Sequence, residues 1–337
     1  MPHMSELAPR EYLWQGRRAG LWVGPSQLEH WSRFEQLVGQ PTWAKRDDIS
    51  GLGLGGNKLR KLDLILGSAL DAGADTILTT GGVQSNHCRL TAAAVSRLGL
   101  EAILFLQGDR PASETGNLLL DLLFGAQIIY TGDISKTAVD GRMRDYASAI
   151  QREGRTPYIV PLGAATMEGC VAYVEACQEL AVQCESKGVE PVAIVVAVGT
   201  GSTLAGLTLG AEQYMPNTRV VGVSVGGQSP KVRSEAIALI REASEVLGMT
   251  SRLTEASLDV RTDYEGPAYT AVTSGALAAL HALARSEGVL VDVTYTGKAL
   301  HGLVDLCKRG ELGGAVLFWH TGGFPELFSR PSGDVLG

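Results

Sequence analysis

Val192-Ala193-Ile194-Val195-Val196-Ala197-Val198-Gly199-Thr200-Gly201-Ser202-Thr203 is the stretch that decides the fold. Its first seven residues are wholly apolar and rich in β-branched side chains, as in a central parallel strand covered on both faces. Gly199 and Gly201 break the run, and residues 202–214 then carry the apolar spacing of a helix. The loop's free N–H groups, its hydroxyls and the helix dipole suit a phosphate, although an ordinary strand–helix turn has the same composition. The Gly-Lys-Ser/Thr ending of an ATP-binding loop is missing, which disfavours nucleotide hydrolysis.

Working outward, the same alternation recurs. Upstream, helices are expected over 57–72, 86–98, 114–124, 135–153 and 167–186, with strands over 76–80, 102–106, 127–130 and 158–161. Downstream come strand 219–224, helices 229–247 and 274–287, strand 289–293, helix 298–308 and strand 315–319. This is the pattern of an α/β protein: open, mostly parallel sheets flanked by helices. A chain of 337 residues predicts two domains. Ligands bind such sheets at the carboxyl ends of strands. That rule selects four loops, 81–87, 199–203, 295–298 and 320–323. Residues 1–40, with Trp14, Trp22 and Trp31, are irregular in pattern and read as an arm or a partly helical lead-in without an assignable role, and His3 is set aside.

Composition narrows the function. The formal charge is −7, with no basic run, which argues against nucleic acid as a partner. No apolar stretch approaches the roughly 20 residues of a membrane helix, and no signal-peptide pattern opens the chain. Five cysteines without a paired framework fit a reducing compartment, so the expected location is cytoplasmic. Cys170, Cys177 and Cys184 recur every seven residues, about 10 Å apart along one helix stripe. One metal ion cannot reach all three, and they read as buried small hydrophobes.

Gly51-Leu52-Gly53-Leu54-Gly55-Gly56-Asn57-Lys58-Leu59-Arg60-Lys61-Leu62 is the second informative stretch. Its glycines let the backbone approach a ligand, Asn57 stands at a helix N-cap position, and Lys58 and Lys61 share a helix face. A lysine desolvated at a helix N-terminus can act as a neutral amine nucleophile, and an ordinary helix start with solvated lysines is the alternative. Gly51, Gly53 and Gly56 match G-x-G-x-x-G, but a charged run rather than an apolar strand precedes them, so a dinucleotide site is disfavoured. In Gly81-Gly82-Val83-Gln84-Ser85-Asn86-His87, Ser85 and Asn86 are natural caps. Four hydrogen-bonding side chains together exceed what capping needs, and Ser85 beside a lysine amine could form an acid–base pair. Tyr295-Thr296-Gly297-Lys298 and His320-Thr321-Gly322-Gly323 each follow a late strand. An amine, a phosphate cradle and a stacking aromatic are what pyridoxal 5′-phosphate requires.

Lys45-Arg46-Asp47-Asp48, the segment from Gly55 to Leu62, the segment from Gly81 to His87, Tyr295-Thr296-Gly297-Lys298-Ala299 and His320-Thr321-Gly322-Gly323 occur in this order. Together they resemble the D-cysteine desulfhydrase and 1-aminocyclopropane-1-carboxylate deaminase family, over roughly residues 43–330. The resemblance implies pyridoxal-phosphate enzymes of the tryptophan-synthase β-subunit-like fold (fold type II), usually homodimers, acting on small amino acids. It implies a larger cofactor-binding domain of residues 1–71 and 165–337, with a smaller domain, 72–164, inserted. Lys58 would form the Schiff base. Lys61 with Gly199, Thr200, Gly201, Ser202 and Thr203 would hold the phosphate. Asn86 would contact the cofactor's 3′-oxygen, Ser85 would be the active hydroxyl, and Tyr295 would stack on the ring. Thr296 and Thr321 would also face the cofactor. Tyr269, with Asn57, Ser85, Asn86 and His87, would meet the substrate.

Deaminases of the family carry Glu after the stacking Tyr and Leu where Thr321 stands. Thr296, Thr321 and His87 follow the desulfhydrase side. A neutral hydroxyl at the pyridine nitrogen does not favour its protonated form as a carboxylate would, which suits direct β-elimination to pyruvate and ammonia. Two segments depart from the family: Gly24-Pro25-Ser26 replaces a Pro-Thr-Pro-like opening, and Thr270-Ala271-Val272-Thr273-Ser274 replaces a Gly-x-Pro-Asn/Asp pattern. The substrate expectation therefore extends beyond D-cysteine to L-cysteate, to ring opening of the cyclopropane amino acid, and to a specialised amino acid.

Overall fold

The computed structural model describes residues 12–226 and 229–336. Among them, ten strands form two sheets: β1 Gln27–His30, β2 Thr42–Arg46, β3 Thr76–Gly82, β4 Glu101–Gln107, β5 Gln127–Tyr130, β6 Pro157–Ile159, β7 Ala193–Val198, β8 Arg219–Ser224, β9 Asp259–Arg261 and β10 Val316–His320. The larger sheet runs β1-β2-β10-β7-β8-β9 and the smaller β5-β4-β3-β6. Every neighbouring pair is parallel except β1 with β2. The α-helices are α1 Ser32–Val38, α2 Lys58–Asp71, α3 Asn86–Arg97, α4 Gly116–Leu123, α5 Lys136–Arg152, α6 Met167–Lys187, α7 Ser202–Tyr214, α8 Ser229–Leu247, α9 Ser274–Glu287, α10 Thr296–Lys308 and α11 Ser332–Leu336.

The apolar run that opened the sequence analysis is β7, central in the larger sheet. Its side chains alternate between two cores, as the period of a strand dictates. Ile194, Val196 and Val198 pack beneath α6, α7 and α8, while Ala193, Val195 and Ala197 pack beneath α9 and α10. The smaller sheet is covered likewise, with Ile77, Leu104 and Leu106 toward α2 and α3 and Leu78, Ile103 and Phe105 toward α5. Cys170, Cys177 and Cys184 are buried free thiols on α6.

Several expectations change. The charged run Lys45-Arg46-Asp47-Asp48 is partly strand: Lys45 and Arg46 end β2, Asp47 and Asp48 begin a 3-10 turn, and all four residues are buried among opposite charges. A strand therefore does lie upstream of the glycine loop, although it is not an apolar one. Residues 289–293 form no strand; Val291 and Val293 are buried, but the segment pairs with no sheet, since both edges of β10 are taken by β2 and β7. The lead-in, described from residue 12, is ordered: it supplies β1 and α1, and its earlier part lies over α2, where Ala19 N–H donates to Asp63 O at 2.8 Å and Leu21 N–H to Asp63 Oδ1 at 2.7 Å. Its first eleven residues, His3 included, lie outside the described residues. Finally, the alternative of an ordinary start with solvated lysines fails for α2, because Arg60, Lys61 and Asp63 are buried along with its leucines.

Gly67 on α2 marks the closeness of that strap, for a Cβ there would stand 1.9 Å from Arg17 O. Alanine favours a helix interior by about 1 kcal/mol over glycine. Overpacking against backbone costs about 1–3 kcal/mol and decides the sign here. Gly67→Ala is expected to lower the denaturant midpoint; an unchanged or higher midpoint would show that the strap does not rest on α2.

Candidate active site

Strands of both sheets end at one cleft of about 420 Å³, lined by Gly82 at the end of β3, Gln107 at the end of β4, Gly199 after β7, Ser224 at the end of β8 and Thr321 after β10. Small-molecule sites measure roughly 300–1,000 Å³. Asn57, Lys58, Lys61, Ser85, Asn86, His87, Gly199, Thr200, Gly201, Thr203, Tyr269, Tyr295 and Thr321 all line it. Two expected contacts do not. Ser202 lies behind the wall, accepting from Lys61 Nζ at 2.7 Å. Thr296 is buried with its hydroxyl on Asp292 Oδ2 at 2.6 Å, so it shapes the turn before α10 rather than facing the cavity.

Lys58 is the first residue of α2. Its Nζ donates to Asn57 Oδ1 at 2.9 Å, and Asn57 Nδ2 donates to Thr203 Oγ1 at 3.2 Å. Asn57 thus stands at the N-cap position but turns its side chain to the cleft and caps nothing. Desolvation, reinforced by the Arg89 guanidinium, brings the Lys58 ammonium down to about 8. Arg89 is fully buried, with one donor on Gly55 O at 2.8 Å. Lys61 is pushed well below the usual lysine range by burial and by Lys58. Two amines that give up their protons readily therefore share one wall, as the i, i+3 spacing required.

The glycine loop holds this wall in place without touching the cleft. Gly55 has φ +70°, and a Cβ on it would fall 2.0 Å from Asp48 O. Gly56 N–H donates to Asp47 O at 2.9 Å and Asn57 N–H to Thr321 O at 3.0 Å, which links the start of α2 to the ends of β2 and β10. Beneath it lies a buried charge network that motif reading missed. Arg60 donates to Asp47 Oδ1 at 3.0 Å, to Glu179 Oε1 at 2.9 Å and to Ser26 Oγ at 2.9 Å. Asp47 also accepts from Tyr173 Oη at 2.8 Å and Trp319 Nε1 at 2.9 Å, and Lys45 pairs with Glu179.

Beside Lys61, α7 starts after its N-cap Gly201 with no side-chain cap, so first-turn N–H groups are free for an anion. At the start of α3, Ser85 Oγ accepts the Cys88 N–H at 3.2 Å and keeps its own proton for the cleft. No direct hydrogen bond joins Ser85 to Lys58, so the expected acid–base pair is not formed here; Lys58 Nζ is turned to Asn57. Asn86 is oriented by Asn117, whose Nδ2 donates to Asn86 Oδ1 at 3.0 Å. His87 is held neutral by burial and the nearby lysines. Thr79 Oγ1 spends its proton on Val160 O at 2.7 Å and must accept from His87 Nε2–H at 2.8 Å. The neutral ring then carries its lone pair on Nδ1, a buried acceptor without a protein partner among the described residues.

Tyr295 and Tyr269 form the far wall, ring centroids 5.7 Å apart and nearly perpendicular. Asp292 fixes Tyr295 by accepting its N–H along with those of Thr294 and Thr296. Lys298, fully buried, donates to Glu265 O at 2.6 Å and Tyr269 O at 3.0 Å and so anchors the backbone of Tyr269. Loop 295–298 does not follow a strand, yet it reaches the cleft because Asp292 turns the chain into α10.

The comparisons agree with this geometry. The model of the family described as pyridoxal-phosphate dependent enzymes matches residues 20–322. A Pyrococcus horikoshii protein, provisionally named a 1-aminocyclopropane-1-carboxylate deaminase, is 39% identical over 94% of this chain and 93% of its own. A Salmonella newport D-cysteine desulfhydrase is 37% identical over 95% and 98%. A crystal structure described as an ACC deaminase homologue superposes with TM-score 0.89 at 36% identity, covering 97% of this chain and 99% of that one. Threonine deaminase isoform 2 of Solanum lycopersicum shares the fold at TM-score 0.64 and 16% identity. With its family matched across nearly the whole chain and its relatives covered end to end, the chain belongs to the pyridoxal-phosphate dependent enzymes of fold type II.

Proposed function

We propose that this enzyme is a β-eliminating lyase of small β-substituted amino acids, releasing pyruvate and ammonia. What supports the reading most is the placement, in one cleft, of an amine whose ammonium ionises near 8 opposite an uncapped helix N-terminus. Those two features fit pyridoxal phosphate: Lys58 for the aldehyde, Lys61 with Gly199, Thr200, Gly201 and Thr203 for the phosphate, and the Tyr295 ring for the pyridine face. Ser202 serves at one remove, through Lys61. When bound, the cofactor withdraws the electron pair left at Cα. Asn86, oriented by Asn117, offers its amide to the cofactor's oxygen.

The chain's own residues supply the rest. The first turn of α3 presents backbone N–H groups to the substrate carboxylate. His87 cannot do so as a cation, because it is neutral; its Nδ1 can accept a hydrogen bond from the substrate's ammonium or thiol. Lys58 Nζ takes the Cα proton, the Cβ–substituent bond breaks with its electron pair on the leaving group, and water hydrolyses the enamine. Tyr269, half-exposed at the mouth, closes over the substrate from the side held by Lys298. Thr321, which lines the cleft, would offer the ring of a bound cofactor a neutral hydroxyl, which would favour elimination over ring opening. On the family resemblance, the enzyme is a cytoplasmic homodimer whose cleft lies between residues 72–164 and the rest of the chain.

A panel of D- and L-amino acids, assayed for pyruvate, 2-oxobutyrate, sulfide and sulfite, tests the reaction. Pyruvate from β-substituted alanines is expected; 2-oxobutyrate from the cyclopropane amino acid without pyruvate from the others would replace elimination by ring opening. Lys58→Ala should abolish the visible absorbance of the loaded enzyme and cut kcat by at least about a hundredfold to ten-thousandfold. In apoenzyme, acylation of Lys58 followed by mass spectrometry should rise with pH as the amine deprotonates, with its midpoint near 8. A midpoint at the ordinary 10.5 would mean that the site does not activate this amine.

A further inference from the structure

Asn86 and Arg89 of α3 lie three residues apart, and Asn117 and Asp121 of α4 four apart, so each pair shares one helix face. The two faces meet. Asn117 Nδ2 donates to Asn86 Oδ1 at 3.0 Å, and Arg89 and Asp121 are the foremost opposite charges acting on one another. Arg89, Asn117 and Asp121 are fully buried. Five of their polar atoms have no partner among the described residues: Arg89 Nε and Nη1, Asn117 Oδ1 and both carboxylate oxygens of Asp121. Buried polar groups are almost always paired, with protein or with ordered water. Water suits this set, because it both donates and accepts, whereas a cation would sit beside a guanidinium and an anion beside a carboxylate.

The other end of Arg89 reaches the glycine loop. Its Nη2 donates to Gly55 O at 2.8 Å, three residues before Lys58, and would stand 3.6 Å from a Cβ on Gly56. Asp292, whose charge also reaches Arg89, spends its oxygens on the turn before α10. A buried cation with no directly bonded carboxylate is costly to a fold. We propose that Arg89 is a positioning residue for Lys58: it grips the Gly55 carbonyl on one side and shares buried water with Asp121 and Asn117 on the other, which fixes its charge beside the Lys58 amine. The proposal rests on Lys58 as the amine that receives the cofactor, not on the reaction that follows.

Of the other groups near Lys58, His87 and Tyr295 are held neutral by burial, and Lys61 gives up its proton readily. Lys136, Lys231, Glu235 and Tyr269 line the same cavity where solvent reaches and screens them. Arg89 keeps its proton at neutral pH, although burial brings it down to about 10. A fixed positive charge disfavours a second one nearby, so Arg89 holds Lys58 toward its neutral, nucleophilic form. The same water joins Arg89 to Asn117, which orients Asn86, so the amine and the amide offered to the cofactor are set from one buried hub.

Acylation of Lys58 in apoenzyme, followed by mass spectrometry across pH, reads the amine directly. In Arg89→Gln, which keeps a donor for the Gly55 carbonyl and loses the charge, the midpoint is expected to rise from near 8 by about one pH unit. In Arg89→Lys, which keeps the charge, it is expected to stay near 8. A residue that served the fold alone would change stability in both variants and move neither midpoint. A midpoint left near 8 in Arg89→Gln, or raised as far in Arg89→Lys, overturns the proposal. A crystal structure of the wild-type apoenzyme tests the hub without any variant. Water within hydrogen-bond distance of both Asp121 and Arg89 Nε or Nη1 is expected, and a direct Arg89–Asp121 ion pair overturns the hub. Visible absorbance of the loaded enzyme that survives Lys58→Ala would instead overturn the reading of Lys58 on which the proposal rests.

Discussion

Arg60, buried on α2 and held by Asp47 and Glu179, is the interaction on which the placement of the site depends. Asp47 ends the run from β2 and also takes Tyr173 of α6 and Trp319 of β10. One carboxylate therefore ties three elements of the larger sheet to the helix that begins with Lys58. Buried ion pairs of this kind add little net stability over a well-packed apolar alternative, whereas removing one partner costs about 3–5 kcal/mol. Their effect is on position. A helix held by apolar contacts alone tolerates small rotations, and a rotation of α2 would carry Lys58 and Lys61 off the cleft wall. Burial pushes the Tyr173 hydroxyl well above its usual range, so it stays a donor to Asp47.

The site is assembled from parts that each do a single task. α2 brings the amines, α7 the anion cradle, α3 the substrate-facing turn, and α10 the aromatic ring. Each reaches the cleft from its first turn, where N–H groups lack helical partners and the dipole favours negative charge. Behind them, groups that never touch the cavity fix the angles: Asp292 behind Tyr295, Lys298 behind Tyr269, Asn117 behind Asn86 and Ser202 behind Lys61.

Much of this was legible in the chain. β7 could be read because a strand covered on both faces has no place for a polar residue, and Lys58 because its helix start and motif neighbours coincide. The misreadings share a cause. Lys45, Arg46, Asp47 and Asp48 read as a charged run in place of a strand because a counter-charge that lets them be buried arrives from elsewhere; Glu179 sits on α6, far along the chain. Residues 289–293 looked like a strand because they are apolar and β-branched, but burial does not require a ladder. Thr296 follows Tyr295 in sequence and so looked like a cofactor contact, yet Asp292 turns it inward. Lys136 and Lys231, which line the cleft, were silent in the chain, since isolated lysines in first turns of helices are common.

The strap and α2 together carry one more implication. Leu64 of α2 belongs to the core of the larger sheet, while Leu59, Leu62, Ile65 and Leu66 belong to that of the smaller. The two sheets therefore share a helix: detaching the smaller one would uncover the face of α2 formed by Leu59, Leu62, Ile65 and Leu66, while α6 still holds the other. Cooperative units in proteins follow such shared elements. The lysine at the head of α2 stands where local breathing would be felt from either side, so a ligand tethered there restrains both sheets at once.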